Sequence, residues 1–238
     1  MCGRYMLTTP VEALRQLFLF EERPNLMPRY NIAPTQDVPI VRLTRDGPTR
    51  GGPGRDGIGR ELIMARWGLV PFWAEDLKIG NRLINARRES VHTMRPFREA
   101  YGRRRCLVPA DGFFEWRKEG KARQPLLIRR KDQAPFAFAG LWERWKDPSD
   151  GTVVRSCTII TCPANELVAL IHDRMPVILA PEDHARWLDP AATDPRSLLA
   201  PCPAVWLESF PVNPRVNDPR HDDAECIQST MVQNNLAL

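Results

Sequence analysis

A chain of 238 residues with 43% hydrophobic content can bury one sizeable core, and the expectation is a single domain. It holds no apolar run near the roughly 18 residues of a membrane span and no signal-peptide pattern at its start, so it reads as a soluble intracellular protein with no membrane partner. Six cysteines are too few for a disulfide scaffold, and the net charge of +5 is uneven: residues 82–131 carry 15 Lys or Arg against 5 Asp or Glu, an excess of +10 that leaves −5 elsewhere. That basic block is either a solvated face or a footprint for a polyanion.

The chain opens MCGRY. With Met1 removed, which a residue as small as Cys2 permits, Cys2 carries an α-amine and a thiol on neighbouring carbons. An α-amine with a pKa near 8 is about one-tenth neutral at pH 7. It can condense with an aldehyde as a Schiff base, which the thiol then closes to a five-membered thiazolidine. The competing reading of Cys2 is an inert small hydrophobe.

Further along, TTPVEALRQLF predicts a short helix with Thr9 as N-cap and Val11, Leu14, Leu17 and Phe18 on its buried face. VPIVRLTR and ELIMARW predict two strands flanking a Gly/Pro-rich loop from 45 to 60, to which no function is assigned. In LINARRE, Asn85 either caps a helix over ARRESVHT, with Arg87 and Arg88 in a first turn suited to phosphate, or hydrogen-bonds a sugar or carbonyl. More strands are expected at RCLVPA, FFEWR, PLLIRR, PFAFAGLW and VVRSCTIITC. Alternation in DGFFEWR places Phe113 and Glu115 on one face, with Phe114 and Trp116 on the other. A carboxylate among aromatics is desolvated and becomes a candidate acid or base near neutrality; a salt bridge to Arg117 or another arginine is the competing reading.

ANELVALIHD and PEDHARWL predict helices. His172 ends the first, with Leu167, Leu170 and Ile171 toward the core, and is either a proton carrier or a partner of the helix dipole. His92, His184 and His221 read as surface residues. Many short strands with scattered helices and no regular βαβ alternation argue for an α+β domain around an antiparallel, partly closed, barrel-like sheet with peripheral helices. Cys157 and Cys162, five apart on one strand, point to opposite faces, and no second ligand pair has zinc spacing, so no metal is expected. P-loop and GxSxG patterns are missing as well.

Taken in order, MCGRY, RYNIAPTQ, ARWGLVPFWA, INARRES, RCLVPADGFFEW, FAFAGLWE, TIITCPANELV and IHDRMPVIL resemble the SOS response-associated peptidase (SRAP) family, a likeness that continues in PVNPRVNDPRHDDAECIQ. The resemblance implies an SRAP domain over 1–228, with 229–238 as a disordered tail. It implies loss of Met1 and covalent trapping of abasic sites in single-stranded DNA through a Cys2 thiazolidine, by a monomer, without cofactor or metal. It places catalytic roles on Cys2, Asn85, Glu115 and His172. DNA contacts fall on Arg4, Asn31, Arg87 and Arg95, with Pro34, Phe72 and Trp73 as a wedge between bases. Ser90 and Cys162 stand where the family pattern has threonines. The location implied is the cytoplasm and nucleoid of a bacterium or the nucleus of a eukaryote. Three rival readings use the same residues: a cysteine peptidase or autoprotease built on Cys2, a non-covalent single-strand-binding module, and a DNA lyase.

Overall fold

A computed structural model describes residues 2–44, 59–192 and 195–230. The chain runs β1 (Tyr5–Leu7), α1 (Val11–Phe18), β2 (Arg29–Ile32), β3 (Asp37–Leu43), β4 (Arg60–Trp67), β5 (Asn85–Arg87), α2 (Arg98–Arg103) and β6 (Arg105–Ala110). It continues β7 (Gly112–Glu119), β8 (Ala122–Arg130), β9 (Phe136–Lys146), β10 (Val153–Pro163), α3 (Glu166–Ala169), β11 (Arg174–Pro176), β12 (Ile178–Leu179), α4 (His184–Leu188) and β13 (Leu207–Pro211).

Five strands close on themselves: β10 pairs with β4, β4 with β3, β3 with β6, β6 with β9, and β9 returns to β10. The α+β class and the barrel-like core expected from the sequence are therefore present. Closure is complete, and it includes parallel pairing where β10 meets β4 and β5. The reason lies in β9, which is buried continuously from Phe136 to Trp142. A strand apolar on both faces cannot lie at a solvated edge. Tyr5, Trp67, Phe113 and Phe138 pack edge-to-face in the core, with ring centroids 5.3 Å apart for Tyr5–Trp67 and 6.1 Å for Phe113–Phe138. Each such buried ring stabilises the fold by about 1.5 to 3 kcal/mol.

A second sheet, in the order β13-β8-β7-β1-β2, lies against this core. Its outer face covers a smaller cluster of Met6, Phe114, Leu127, Val212, Val216 and Cys226. The expected alternation in β7 holds: Phe113 joins the main core, while Phe114 and Trp116 join the smaller cluster. Among the described residues, no helix is long and apolar enough to cross a membrane.

Four local expectations are corrected. Pro10, not Thr9, occupies the N-cap of α1, because the Thr9 hydroxyl donates instead to Asp111 Oδ1 at 2.7 Å. ARRESVHT is not a helix: Asn85–Arg87 are captured as a strand by β10, and only a turn follows, with Val91 N donating to Arg87 O. Pairing with a buried neighbour has overridden local propensity. The helix of ANELVALIHD ends at Ala169, so Leu170 is 76% exposed rather than in the core, and His172 lies in the turn beyond. His184 is buried and stacked on Phe18, not at the surface. Of the loop 45–60, residues 45–58 lie outside the described residues, as do 231–238 of the expected tail. Ser229 still bridges to Val212.

The segment joining β4 to β5 is pinned where two glycines meet. Gly68 has φ +128°, a conformation disfavoured for side-chain-bearing residues, and a Cβ on Gly80 would lie 2.5 Å from Gly68 O. Gly80→Ala is accordingly expected to destabilise the protein by about 1 to 3 kcal/mol, measured by chemical denaturation, since neither backbone can yield without moving the strands. A fully stable variant would contradict this close approach.

Candidate active site

The register of β1 on β7 fixes where the chain start lies. Tyr5 opposes Phe113, and Phe114 N donates to Arg4 O at 3.0 Å, which carries the first residues toward Glu115. The turn between β1 and α1 is held from the same sheet by Asp111, whose carboxylate accepts from Thr9 N at 2.8 Å and from the Thr8 hydroxyl at 2.9 Å. An Asp before Gly at the start of a strand is a turn signal, the one feature of the sequence that marks Asp111.

From the other side, β5 lies beside β10 with Asn85 opposite Ile159, and Asn85 Nδ2 donates to Cys2 O at 2.7 Å. Asn85 is therefore a tether for the chain start. The opposite end of its amide, Oδ1, is buried without a hydrogen-bond partner among the described residues. Leaving such an acceptor unmade costs about 1 to 3 kcal/mol, so a donor arriving there is bound favourably.

Cys2 is fully buried. Burial first, and then the charge of nearby Glu115, push its thiol well above the ordinary range. Glu115 is itself 3% exposed, and burial raises its carboxyl to about 7, with the Asp173 charge adding in the same direction. A carboxyl poised there can exchange a proton at neutral pH.

The sign of the associated stability effect follows. Below about pH 4.5 Glu115 is protonated in both folded and unfolded chains. As pH rises toward 7 the unfolded chain loses the proton first, so the fold loses stability. The shift from 4.5 to about 7 corresponds to a cost of up to about 3 kcal/mol above pH 7. Glu115→Gln should raise the melting temperature at pH 8 and leave it nearly unchanged at pH 4, as thermal scans at both values would show; equal shifts at both would refute the buried charge.

His172 follows α3, with its N–H bonded to Val168 O at 2.9 Å. Its Nδ1 lies 2.9 Å from two groups of opposite demand, the backbone N–H of Arg174 and Oδ1 of Asp173. The first needs a lone pair on Nδ1, the second a proton. Asp173 is 85% exposed, so its attraction is screened, and burial wins: the ring's pKa is lowered. A neutral ring bonded to Arg174 N–H carries its proton on Nε2, while a protonated ring gains Asp173 as partner. Arg174 ties β11 to β10 and to the turn that follows β5. Its guanidinium reaches Glu89 at 2.8 and 3.0 Å and Thr161 O at 2.8 Å.

The structure places the expected DNA-contacting residues unequally. Arg87 is exposed on the same face of β5 as Asn85. Arg95 is exposed and its guanidinium lies 4.1 Å from the Trp73 ring centroid, joining an expected phosphate contact to an expected stacking ring. Phe72 beside it is 53% exposed. Pro34 is half-buried in the turn before β3. Arg4 is half-buried, with Nη1 donating to Asn31 Oδ1 and to Val216 O, both at 2.8 Å. Asn31 is fully buried, and its Nδ2 donates to the carbonyls of Asp218 at 3.0 Å and His221 at 2.6 Å. It clasps the C-terminal segment, so any part it takes in DNA contact runs through Arg4.

Among the described residues, no cluster of His, Cys, Asp or Glu is arranged to hold a metal ion.

Fold and site together define a small closed barrel that gathers a buried N-terminal-region cysteine, an amide, a neutral-range carboxyl and a histidine. The chain belongs to the SOS response associated peptidase (SRAP) family, whose model matches residues 1–219. It is 39% identical over 236 residues to "Abasic site processing protein YoqW" of Bacillus subtilis, covering 96% of this chain and all of that one. It is 31% identical to "Abasic site processing protein YedK" of Escherichia coli, covering 96% of this chain and 99% of the relative. A crystal structure of a protein from Bacteroides thetaiotaomicron superposes with a TM-score of 0.84 at 26% identity, covering 97% of this chain and all of that one.

Proposed function

We propose that the protein processes abasic sites in DNA, and that it does so by trapping the sugar aldehyde in single-stranded DNA as a thiazolidine on Cys2 after loss of Met1. The observation that carries this reading is the Asn85 amide, which holds Cys2 O by Nδ2 at 2.7 Å and leaves buried Oδ1 open to a donor on the sugar or on the Cys2 amine. The names of the relatives, abasic site processing proteins, point to the same substrate.

An abasic deoxyribose is mostly a closed hemiacetal. His172 moves protons at its ring oxygen and anomeric hydroxyl to release the aldehyde. The Cys2 amine then adds to the carbonyl and water leaves, giving the imine. Glu115, near 7, takes the proton that the ammonium must shed and returns one to the departing hydroxyl. Finally the thiol adds across the imine: sulfur bonds to carbon and its proton ends on nitrogen. One amine, one thiol and one aldehyde give one thiazolidine and one water, without redox change.

The state of the thiol favours this order. A peptidase needs a thiolate as its first nucleophile, and Cys2 is pushed the other way. In the trap the thiol acts last, on a carbon already activated as an imine. The test is a denaturing gel of the protein with a single-stranded oligonucleotide holding one abasic site. A shifted band that survives heat and denaturant without reductant supports the reading; strand cleavage without a shift makes the protein a lyase and refutes it.

A further inference from the structure

The structure resolves the basic block of residues 82–131 into arginines that the fold consumes and a few that it does not. Arg104 pairs with Glu99 and Glu143. Arg105 is buried, donating to the carbonyls of Trp187 and Tyr101. Arg129 pairs with Glu208, and Arg130 with Asp132. Thus the densest runs in the sequence, GRRRC and LIRRK, serve mainly to hold the protein together.

Besides the exposed arginines around β5 and α2, among them Arg87 and Arg95, the block leaves a compact group at the tip of the β7–β8 hairpin, where Lys118, Lys121 and Arg123 are exposed. Lys118 lies directly opposite Arg123 in the register, so two like charges share one face of the hairpin. Such a cross-strand pair disfavours the hairpin in isolation. Arg117, also exposed, is on the opposite face, which is that of Glu115. On the Lys118 face the next residue inward is Trp116, over whose ring the Arg4 guanidinium sits at 5.8 Å. A line of cations interleaved with an aromatic ring is the usual track for a single nucleic-acid strand. The tip begins three residues beyond Glu115, about 10 Å along the strand.

We propose that this hairpin tip is a phosphate-binding extension of the site, gripping the backbone of a DNA strand that leaves the Glu115 face over the end of the hairpin, about two nucleotides beyond the trapped sugar and on one side of it only. The inference rests on the DNA-trapping reading above for the position of the sugar. The grip itself requires only a polyanionic strand.

The test replaces the three uncommitted cations together, as K118Q/K121Q/R123Q, and titrates wild type and variant with a long undamaged single strand across salt. Each single-strand phosphate contact contributes about 0.7 to the slope of log K against log salt, so the variant's line should be shallower by about 2, with at least about tenfold weaker binding at low salt. Adducts with abasic oligonucleotides flanked on one side or the other should then show a loss confined to one polarity, and none with a strand too short to reach the tip. Parallel salt lines, equal losses for both flanks, or equal losses on short and long strands would each overturn the proposal. If instead wild type formed no adduct at all, the trapping reading would fail, while the undamaged-strand titration would still decide whether the hairpin binds phosphate.

Discussion

Cys2→Ala should form no adduct that survives heat and denaturant, while still binding undamaged single-stranded DNA as wild type does. The variant keeps the α-amine and loses only the sulfur, so it can reach the imine but cannot close the ring. Adding borohydride during the reaction should therefore restore a stable band by reducing that imine. An extra residue placed before Cys2 acts differently: it separates the α-amine from the thiol, so no five-membered ring can close and the spontaneous band should be lost. The substitution deletes one small buried group, with a modest stability cost of about 1 kcal/mol, too little to unfold the protein at room temperature. Full spontaneous crosslinking by Cys2→Ala would move the nucleophile to a lysine and refute the mechanism.

His172→Gln should slow adduct formation by about 10² to 10⁴, the usual loss when a general acid or base is removed. Glutamine can still hydrogen-bond, but it cannot hand over a proton. Because the same transfers operate in both directions, release of the sugar from a preformed adduct should slow as well. Affinity for undamaged DNA should not change. The wild-type rate should also fall at acid pH as the ring becomes protonated, below the ordinary histidine range because burial lowers its pKa. A variant with the wild-type rate, or one slowed only in formation, would show that the histidine serves some other step.

Much of the site was legible because its residues sit in short motifs with local chemical meaning. Strand alternation put Glu115 on the face of Phe113, and both are buried, but alternation left open whether the carboxylate was desolvated or paired with an arginine. The pairing that captures Asn85 was not readable: strand β5 has three residues, and its partner β10 lies more than seventy positions away. No window along the chain contains that information. The same holds for Asn31 and Arg4, whose partners at Val216, Asp218 and His221 come from the far end of the chain. Closed topology explains why α+β could be argued from composition and spacing, whereas parallel contacts of β10 could not. The basic block shows the converse error of reading along the sequence. Its densest runs are largely spent on contacts within the fold, and part of its free charge lies in a hairpin of ordinary appearance.

Intact-mass measurement of the product made with an abasic single strand tests the central claim most directly. The account predicts one species whose mass equals the protein without Met1, plus the strand, minus one water, formed without reductant. Digestion should place the sugar remnant on the N-terminal peptide with no free thiol at Cys2. A product that retains Met1, carries the strand on another residue, or leaves the Cys2 thiol free to alkylation would contradict it.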